Sequence, residues 1–226
     1  MKFMTIVKSL TIICSIHNIA FADGQLMVMP VRTQVHEMQT SKLRLSNLGD
    51  KPLYLKLDLQ RVDNPGEKPE IKSNIGDIKN PELMINATKI TLGPSQKKDV
   101  VLIPLRKPTM ETVYRLYIIP VSSIKIAEDK NDEKIEAPFT FGVGYGVIIN
   151  HMPKEDLQSK SLEHQCLNGE IILTASGNTH NEIKIENYDN TGHSLKFNVY
   201  PRMKKTINSN YLKGTVDGNE FEISCK

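Results

Sequence analysis

The sequence predicts an all-β protein built from two β-sandwich domains. Segments that alternate apolar with polar residues, or that are rich in β-branched residues, follow one another along nearly the whole chain. Turn-forming residues separate them, as in Asn64-Pro65-Gly66 and Leu92-Gly93-Pro94-Ser95. No helical period persists for three turns. Short strands joined by such turns are typical of antiparallel sheets packed face to face.

The first domain is predicted over residues 23–153. Its clearest strand is Leu53–Gln60, because apolar residues there alternate with polar or charged ones. About seven short strands of this kind are typical of an immunoglobulin-like sandwich. The strands predicted for this domain are Leu26–Val31, Lys42–Asn47, Pro52–Val62, Thr88–Leu92, Lys97–Pro104, Val113–Val121 and the long segment 139–150.

A second, smaller β-sandwich domain is predicted over residues 154–226. The segment His151-Met152-Pro153-Lys154-Glu155-Asp156 interrupts the strands with a proline and several charges, which predicts a domain boundary. A domain of roughly 70 residues is marginal for a single hydrophobic core. Its predicted strands are Gly169–Ala175, Asn181–Asn187, Ser194–Tyr200, Asn210–Thr215 and Asn219–Cys225.

Residues 1–22 are predicted to be a signal peptide. A short basic start precedes the apolar run Ser9–Ile16, which is too short to span a bilayer, and Ala20-Phe21-Ala22 has the small-x-small form that signal peptidase cleaves. Ile13 before Cys14 is too bulky for the usual lipoprotein pattern. We therefore expect a soluble exported protein whose mature chain begins at Asp23.

Charge and motifs exclude several classes of function. Of 29 basic and 26 acidic residues, Lys2 and Lys8 leave with the signal, so 27 face 26 in the mature chain. With no basic run, the sequence favours neither nucleic acid nor a lipid surface as a partner. The chain has no Gly-x-Ser-x-Gly elbow, no His-Glu-x-x-His helix and no phosphate-binding glycine loop. We expect no enzyme activity, no small-molecule substrate and no cofactor.

Two cysteines remain in the mature chain, Cys166 and Cys225. In an oxidising compartment an even number of cysteines is most simply explained by a disulfide, which here would tie together the ends of the second domain. Closing a loop of roughly 60 residues contributes about 4 kcal/mol in the chain-entropy model. Metal binding through His164-Gln165-Cys166 is the alternative, but no second cluster with ligand spacing accompanies it. We therefore expect a disulfide and no metal.

The segment 139–150 shows the longest strict alternation in the chain. Thr140, Gly142, Gly144 and Gly146 leave one face of this strand nearly bare. Such a strand usually covers its own core, but it can also fill a groove in another protein, and periodicity alone leaves both interpretations open. The residues of its apolar face are Phe139, Phe141, Val143, Tyr145, Val147 and Ile149.

Several motifs occur in an order that resembles a known family. They are Met29-Pro30-Val31, Asn64-Pro65-Gly66, Lys89-Ile90-Thr91-Leu92-Gly93-Pro94, Glu111-Thr112-Val113-Tyr114-Arg115-Leu116-Tyr117, and the alternating strand that ends in Met152-Pro153. In this order they resemble the two-domain, immunoglobulin-like periplasmic chaperones of fimbriae and pili, most closely the alternate branch that serves colonisation-factor fimbriae. The resemblance covers most of residues 26–153 and is weaker beyond them.

The resemblance implies a periplasmic chaperone that binds fimbrial subunits by donating a strand. A subunit of this kind lacks the last strand of its own sandwich, and the last strand of the chaperone's first domain fills the groove until another subunit replaces it. It also implies delivery to an outer-membrane usher. The groove-filling side chains would be Phe139, Phe141 and Val143, with Tyr145 and Val147 continuing the row.

The resemblance further implies basic residues in a cleft between the domains, where they would hold the subunit's C-terminal carboxylate. Arg32 is the nearest candidate on the first strand, but an ungapped alignment places Thr33 at the usual basic position. A shift of one residue on a strand reverses the face of the side chain. Arg115 is a further candidate, and the last strand has Ile148 where the family has a lysine.

The rival interpretation is an exported fimbrial subunit, or an adhesin, with the same sandwich. A subunit would carry its alternating segment directly after the signal peptide, whereas here that segment lies between the two predicted domains. This placement favours the chaperone. Because an exposed apolar edge promotes association, we also expect that the free protein could cover its donor strand by forming a dimer.

Overall fold

The computed structural model describes residues 25–121, 143–188 and 194–225, and most of these lie in β-strands. A 3-10 turn at Ile75–Asp77 follows β5. The strands up to residue 152 are β1 (Leu26–Met29), β2 (Arg32–His36), β3 (Ser41–Asn47), β4 (Leu53–Val62), β5 (Lys72–Asn74), β6 (Leu83–Ile85), β7 (Lys89–Leu92), β8 (Lys97–Pro104), β9 (Thr112–Pro120) and β10 (Tyr145–Met152).

These ten strands form two sheets. One has the order β1-β3-β8-β6, and the other has the order β2-β10-β9-β4-β5 with β7 also paired to β4. The pairing is antiparallel except between β10 and β2, which run parallel. Each sheet has an apolar inner face, because alternate side chains of a strand point to opposite faces. Leu57 of β4 and Leu43 of β3, for example, come from opposite sheets and belong to one buried core.

The remaining strands form a second sandwich. They are β11 (Leu162–Leu167), β12 (Glu170–Ala175), β13 (Asn181–Tyr188), β14 (Leu195–Val199), β15 (Lys204–Ile207), β16 (Tyr211–Val216) and β17 (Asn219–Ser224), preceded by a 3-10 turn at Glu155–Leu157. Their sheets have the orders β11-β12-β15 and β14-β13-β16-β17. A separate core, which includes Ile171, Ile183 and Leu212, lies between them. The predicted all-β class with two immunoglobulin-like sandwiches is confirmed.

The predicted disulfide is present. Cys166 and Cys225 are bonded across a sequence separation of 59 residues, with their Cα atoms 5.8 Å apart. Cys166 lies on β11 and Cys225 directly follows β17, so the bond joins the edge strands of the two sheets of this sandwich. Among the described residues, no group of three His, Cys, Asp or Glu side chains is placed to hold a metal ion.

The first strand differs from its prediction. The sequence predicts one strand over Leu26–Val31, but the chain changes sheets at Pro30 and Val31, so β1 pairs with β3 and β2 pairs with β10. The short strands β5, β6, β11 and β15 are not predicted by the sequence pattern. The domain boundary at residue 153 stays a prediction. In the described ranges, no helix is long and apolar enough to cross a membrane.

Candidate functional site

The apolar face of β10 begins inside the protein and runs out of it. Val147 and Ile149 are both 0% exposed in the core of the first sandwich. Tyr145 packs against the same core from its margin, and its hydroxyl donates a hydrogen bond to the carbonyl oxygen of Leu26 at 3.0 Å. Val143, two residues earlier, is 78% exposed. The row of apolar side chains therefore continues past the end of the core that it helps to form.

The predicted donor residues differ in how accessible they are to a partner. Val143 is accessible to a partner, and Tyr145 lies at the point where the core ends. Val147 is expected from the sequence to continue the groove-filling row, but it is buried in the chain's own core, where Leu116 is its partner on β9. In this packing Val147 is not available to another protein. Phe139 and Phe141 lie outside the described residues.

The start of β10 also has an open backbone edge. Along its length from Tyr145 to His151, β10 pairs with β9, whereas β2 pairs with it only from Ile148 to Met152. Because β1 has crossed to the other sheet, no described strand covers the second edge of residues 145–147. An uncovered edge presents N–H and C=O groups that can pair with an added strand.

The opposite face of this sheet places two arginines in one row. Ile148 is the register partner of Arg32 on β2 and of Arg115 on β9, and paired residues point to the same side of a sheet. That side faces away from the core, because Val147 and Ile149 occupy the inner face. Arg32 and Arg115 therefore flank Ile148 on the outer face of the sheet.

The two neighbouring candidates on the first strand, Arg32 and Thr33, point to opposite faces of the sheet. Thr33 pairs with the core residue Ile149, and its hydroxyl lies 3.4 Å from that of Ser41. Arg32 is exposed on the other face and forms no ion pair with any described residue. Of these two neighbours, only Arg32 offers a cation on the outer face.

Arg115 is already paired. Its Nη2 donates to Oε1 of Glu70 at 2.5 Å, and its Nε lies 3.2 Å from both oxygens of that carboxylate. Nζ of Lys72 lies 3.6 Å from Oε2 of Glu70. The hydrogen bond from Arg115 lowers the pKa of the Glu70 carboxyl, so this group stays ionised near neutral pH. The charge of Arg115 is thus largely balanced within the protein.

A buried carboxylate that the sequence analysis did not single out joins the two sandwiches. The side chain of Glu111 is 0% exposed and accepts hydrogen bonds from Nδ2 of Asn150 at 2.5 Å and from the backbone N–H of His180 at 2.7 Å. Nδ1 of His180 lies 2.8 Å from Oε2 of Glu111. Because an ionised carboxylate can only accept, Nδ1 must carry a proton.

Backbone contacts strengthen this junction. The N–H of Glu111 donates to the carbonyl oxygen of Asn178 at 2.8 Å, and Nδ2 of Asn178 reaches the carbonyl oxygens of Leu157 and Thr109 at 2.9 and 3.3 Å. Glu111 precedes β9 and does not share an alternation pattern with a strand, so no local sequence signal marks it as a buried group. Its position depends on the contact between the two sandwiches.

Exposed apolar side chains lie on the outer face of the sheet, beside the start of β10. Ile119 and Val121, on β9 and directly after it, are 44% and 54% exposed, and Tyr54 on the neighbouring β4 is 58% exposed. Gly144 faces this surface, and a Cβ there would lie 3.3 Å from the carbonyl oxygen of Ile118. The glycine therefore allows the chain just before β10 to lie close against β9.

No protein-family model matches the chain. Two Escherichia coli proteins that are named as fimbrial subunits, one of CFA/I and one of CS1, are each 22% identical to it. The CFA/I protein aligns over 72% of this chain and 68% of its own length, and the CS1 protein aligns over 88% and 78%.

Solved structures of fimbrial chaperones share the fold over most of their length. The class 5 fimbriae chaperone CfaA matches with a TM-score of 0.67 at 18% identity, over 89% of this chain and 99% of that one. A chain from a chaperone–tip adhesin complex of CFA/I fimbriae gives 0.64 at 20% identity, over 86% and 98%. A chain from the Salmonella enterica complex of the SafA pilin with the SafB chaperone gives 0.56 at 14% identity, over 91% and 98%.

The resemblance drawn from the sequence is therefore confirmed at the level of the fold: this chain has the two-sandwich architecture of the fimbrial assembly chaperones, with CfaA of the colonisation-factor branch among its structural neighbours.

Proposed function

We propose that this protein is a periplasmic chaperone that binds fimbrial subunits by lending them the segment that leads into β10. One observation carries the proposal: the apolar row of β10 leaves its own core between Val147 and Val143, at the point where one backbone edge is open. A partner that lacks a strand could pair with this edge while the side chains of residues 139, 141 and 143 fill its groove.

The energetics suit a complex that holds a subunit and can later release it. Burial of three large apolar side chains contributes about 5 to 9 kcal/mol before the cost of ordering the segment is subtracted. Formation of backbone hydrogen bonds along the open edge adds to this. No covalent bond forms or breaks, so the proposed activity is binding and not catalysis.

Arg32 is the best candidate for holding the C-terminal carboxylate of the subunit. It is exposed on the outer face beside Ile148, and its charge is not balanced by a described acidic side chain. Thr33 lies on the inner side of the same strand, and Arg115 is paired with Glu70. A guanidinium group binds a carboxylate through two parallel hydrogen bonds, which fixes the register of the bound strand.

The compartment and the later steps belong to the same proposal. Cleavage of the signal peptide after Ala22 would release the chain into the periplasm, and an outer-membrane usher would receive the loaded complex. In the absence of a partner, a second copy of the chain could cover the apolar segment. These steps are supported by the sequence features of residues 1–22 and by the exposure of Val143.

A fimbrial subunit is the second candidate function, because both sequence relatives are named as fimbrial subunits. A subunit would polymerise with copies of itself or with other subunits. A chaperone would form a one-to-one complex with a different protein. The two candidates therefore differ in the composition of the complex that is recovered.

Co-purification from a periplasmic extract tests the proposal. The chain is co-expressed with the products of its neighbouring genes, and the recovered complex is analysed by size-exclusion chromatography and mass spectrometry. We expect a one-to-one complex with a small β-rich protein. Phe141→Asp should abolish the complex, whereas Leu157→Asp, at a side chain 67% exposed on the turn before β11, should retain it. Recovery of a self-polymer would favour the subunit, and normal binding by Phe141→Asp would refute strand donation.

A further inference from the structure

Glu70 is positioned by a rigid connection between β4 and β5. Oδ1 of Asn64 accepts the N–H of Ile71 at 2.5 Å, and Nδ2 of Asn64 donates to the carbonyl oxygen of Pro69 at 3.0 Å. The N–H of Asp63 also donates to the carbonyl oxygen of Ile71 at 2.9 Å. These bonds hold the backbone on both sides of Glu70, so its carboxylate is presented to Arg115 from a fixed position.

The same connection reaches the second sandwich. Gly66 has a φ of +88°, and a Cβ at this position would lie 3.3 Å from both the carbonyl oxygen of Asn198 and Cδ2 of Tyr200. Residues 63–71 therefore extend from the outer face of the β2-β10-β9-β4-β5 sheet to the neighbouring sandwich. Glu70 belongs to this connection and is paired with Arg115 on the outer face of the sheet, the face on which the proposed function places the end of a bound subunit.

Arg115 can be approached by carboxylates from two directions. In the strand order β2-β10-β9-β4-β5, Arg32 lies on one side of it, beyond Ile148, and Glu70 belongs to the segment that enters β5 on the other side. Strands two positions apart in a sheet are separated by roughly 10 Å, a distance that two arginine side chains can bridge by converging on one acceptor. A carboxylate above Ile148 is thus within reach of both arginines.

We propose that Glu70 is an internal competitor for this site, and that its carboxylate holds Arg115 until the C-terminal carboxylate of a subunit displaces it. The inference rests on the proposed function and specifies how its anchoring site is regulated. In the free protein, Arg32 attracts the carboxylate of the subunit, while the charge of Arg115 is neutralised by Glu70. In the complex, Arg115 turns from Glu70 toward the new carboxylate.

Competition of this kind lowers the affinity of the site. The apparent affinity of a ligand falls in proportion to the fraction of protein in the competent state. The Arg115–Glu70 pair is 25% exposed on each side chain, so solvent screens it and the penalty is moderate. A chaperone that must hand its subunit on gains from this, because Glu70 recaptures Arg115 as the subunit leaves.

The alternative role for Glu70 is to orient Arg115. The observed pairing uses Nε and Nη2 of the guanidinium, which leaves Nη1 for a second carboxylate. An orienting residue would increase carboxylate affinity, whereas a competitor would decrease it. The two roles therefore predict opposite signs for the effect of removing the charge of Glu70.

The test uses the full mature chain and a pair of probes. The probes are an acetylated eight-residue peptide of alternating valine and threonine that ends in a free carboxylate, and the same peptide as the C-terminal amide. Affinities are measured by NMR titration at low salt. We expect Glu70→Gln to bind the carboxylate peptide about two- to tenfold more tightly, with the affinity for the amide unchanged.

Two controls isolate the mechanism. Glu67→Gln removes a negative charge from the same connection without touching Arg115, and it should leave the affinity unchanged. In an Arg115→Gln background, Glu70→Gln should not change the affinity for the carboxylate peptide, because the guanidinium for which the two carboxylates compete is absent. Thermal unfolding of each variant establishes that it is folded.

The other outcomes overturn the inference. Equal or weaker carboxylate binding by Glu70→Gln would make Glu70 an orienting or purely structural residue, and an equal gain in Glu67→Gln would indicate a general charge effect. If neither wild type nor Glu70→Gln prefers the carboxylate to the amide, the site does not bind carboxylates. Strand donation would still be judged separately, by the co-purification of subunits and its loss in Phe141→Asp.

Discussion

Glu111 and His180 connect the two sandwiches through a carboxylate that solvent does not reach. His180 supplies both its backbone N–H and its imidazole Nδ1–H, at 2.7 and 2.8 Å from Oε2 of Glu111. Asn150 of β10 donates to the other oxygen of the same carboxylate. The strand that we propose to be shared with a subunit is therefore tied to the junction between the sandwiches, two residues beyond Ile148.

Replacement of Glu111 should destabilise this junction. In Glu111→Gln one carboxylate oxygen becomes an NH₂ group, which cannot accept the bond from Asn150 if it replaces Oε1, or the bonds from His180 if it replaces Oε2. Loss of hydrogen bonds to a buried carboxylate costs about 3 kcal/mol. Urea unfolding monitored by circular dichroism would measure the loss. Glu182→Gln, at an exposed carboxylate paired with Lys184 and Lys196, is the matched control and should unfold like wild type.

The same carboxylate should make the free energy of unfolding depend on pH in the acidic range. Burial alone would raise the pKa of the Glu111 carboxyl, but the hydrogen bonds and charge of His180 and the amide of Asn150 hold it below its usual value of 4.5. Its stabilising contribution is therefore complete above pH 4.5 and is lost as the pH falls through the lower folded value. Urea unfolding at a series of pH values should show a smaller loss of stability on acidification in Glu111→Gln than in wild type. Identical slopes would contradict this account.

Val143, two residues before β10, and Val147, within β10, form a matched pair in one row of alternating apolar residues. Val143→Asp should fold normally, because that side chain is 78% exposed, and should impair subunit binding. Val147→Asp places an unpaired charge at a position that is 0% exposed, which should cost more than about 4 kcal/mol and prevent stable folding. Circular dichroism and subunit co-purification separate the two effects. Normal subunit binding by Val143→Asp would limit the donor segment to residues before 143.

Arg32→Gln should weaken subunit binding without loss of stability. Removal of one charge-assisted hydrogen-bonding group costs roughly 1.5 kcal/mol, or about tenfold in affinity. Surface plasmon resonance with the purified partner would measure the change. Two control variants should bind as wild type does: Thr33→Ala, on the inner side of the same strand, and Arg44→Gln, on β3, where Arg44 is paired with Asp99 of β8. Equal losses in all three variants would refute an anchoring role for Arg32.

Removal of the disulfide should unfold the second sandwich first. The bond between Cys166 and Cys225 closes a loop with a sequence separation of 59 residues. Its loss costs about 4 kcal/mol in the chain-entropy model, a large fraction of the stability of a small domain. In the Cys166→Ala/Cys225→Ala double variant, hydrogen exchange should show reduced protection of β12 and β13 before that of β4 and β9. Uniform loss across both sandwiches would indicate that they unfold as one unit.

The alternation of apolar and polar residues predicted the strands that bury one face. It failed for segments whose sheet is decided by strand pairing, and for exposed edge strands. Leu53–Gln60 alternates cleanly and lies within β4. Leu26–Val31 also has the pattern of one strand, yet the chain crosses between sheets there, because strand pairing and not local sequence decides which sheet a residue joins. Strand β11 is missed because its exposed edge residues show no apolar alternation.

The candidate site was predictable only in part for the same reason. The apolar row of β10 is visible in the sequence, but the residue at which the row leaves the core depends on where the opposite sheet ends. Val147 is accordingly predicted among the donor residues and lies in the core. The pairing of Arg115 with Glu70, 45 residues away, and that of Glu111 with His180, 69 residues away, exist only in the folded chain.

The disulfide has a consequence for the proposed strand donation. It fastens β11 and β17, the outermost strands of two different sheets, to each other. A strand fastened in this way cannot swing out to replace its counterpart in another copy, which is the step that begins a domain-swapped dimer. Exchange of either strand alone is therefore blocked in the second sandwich, and the strand donation that we propose belongs to the first.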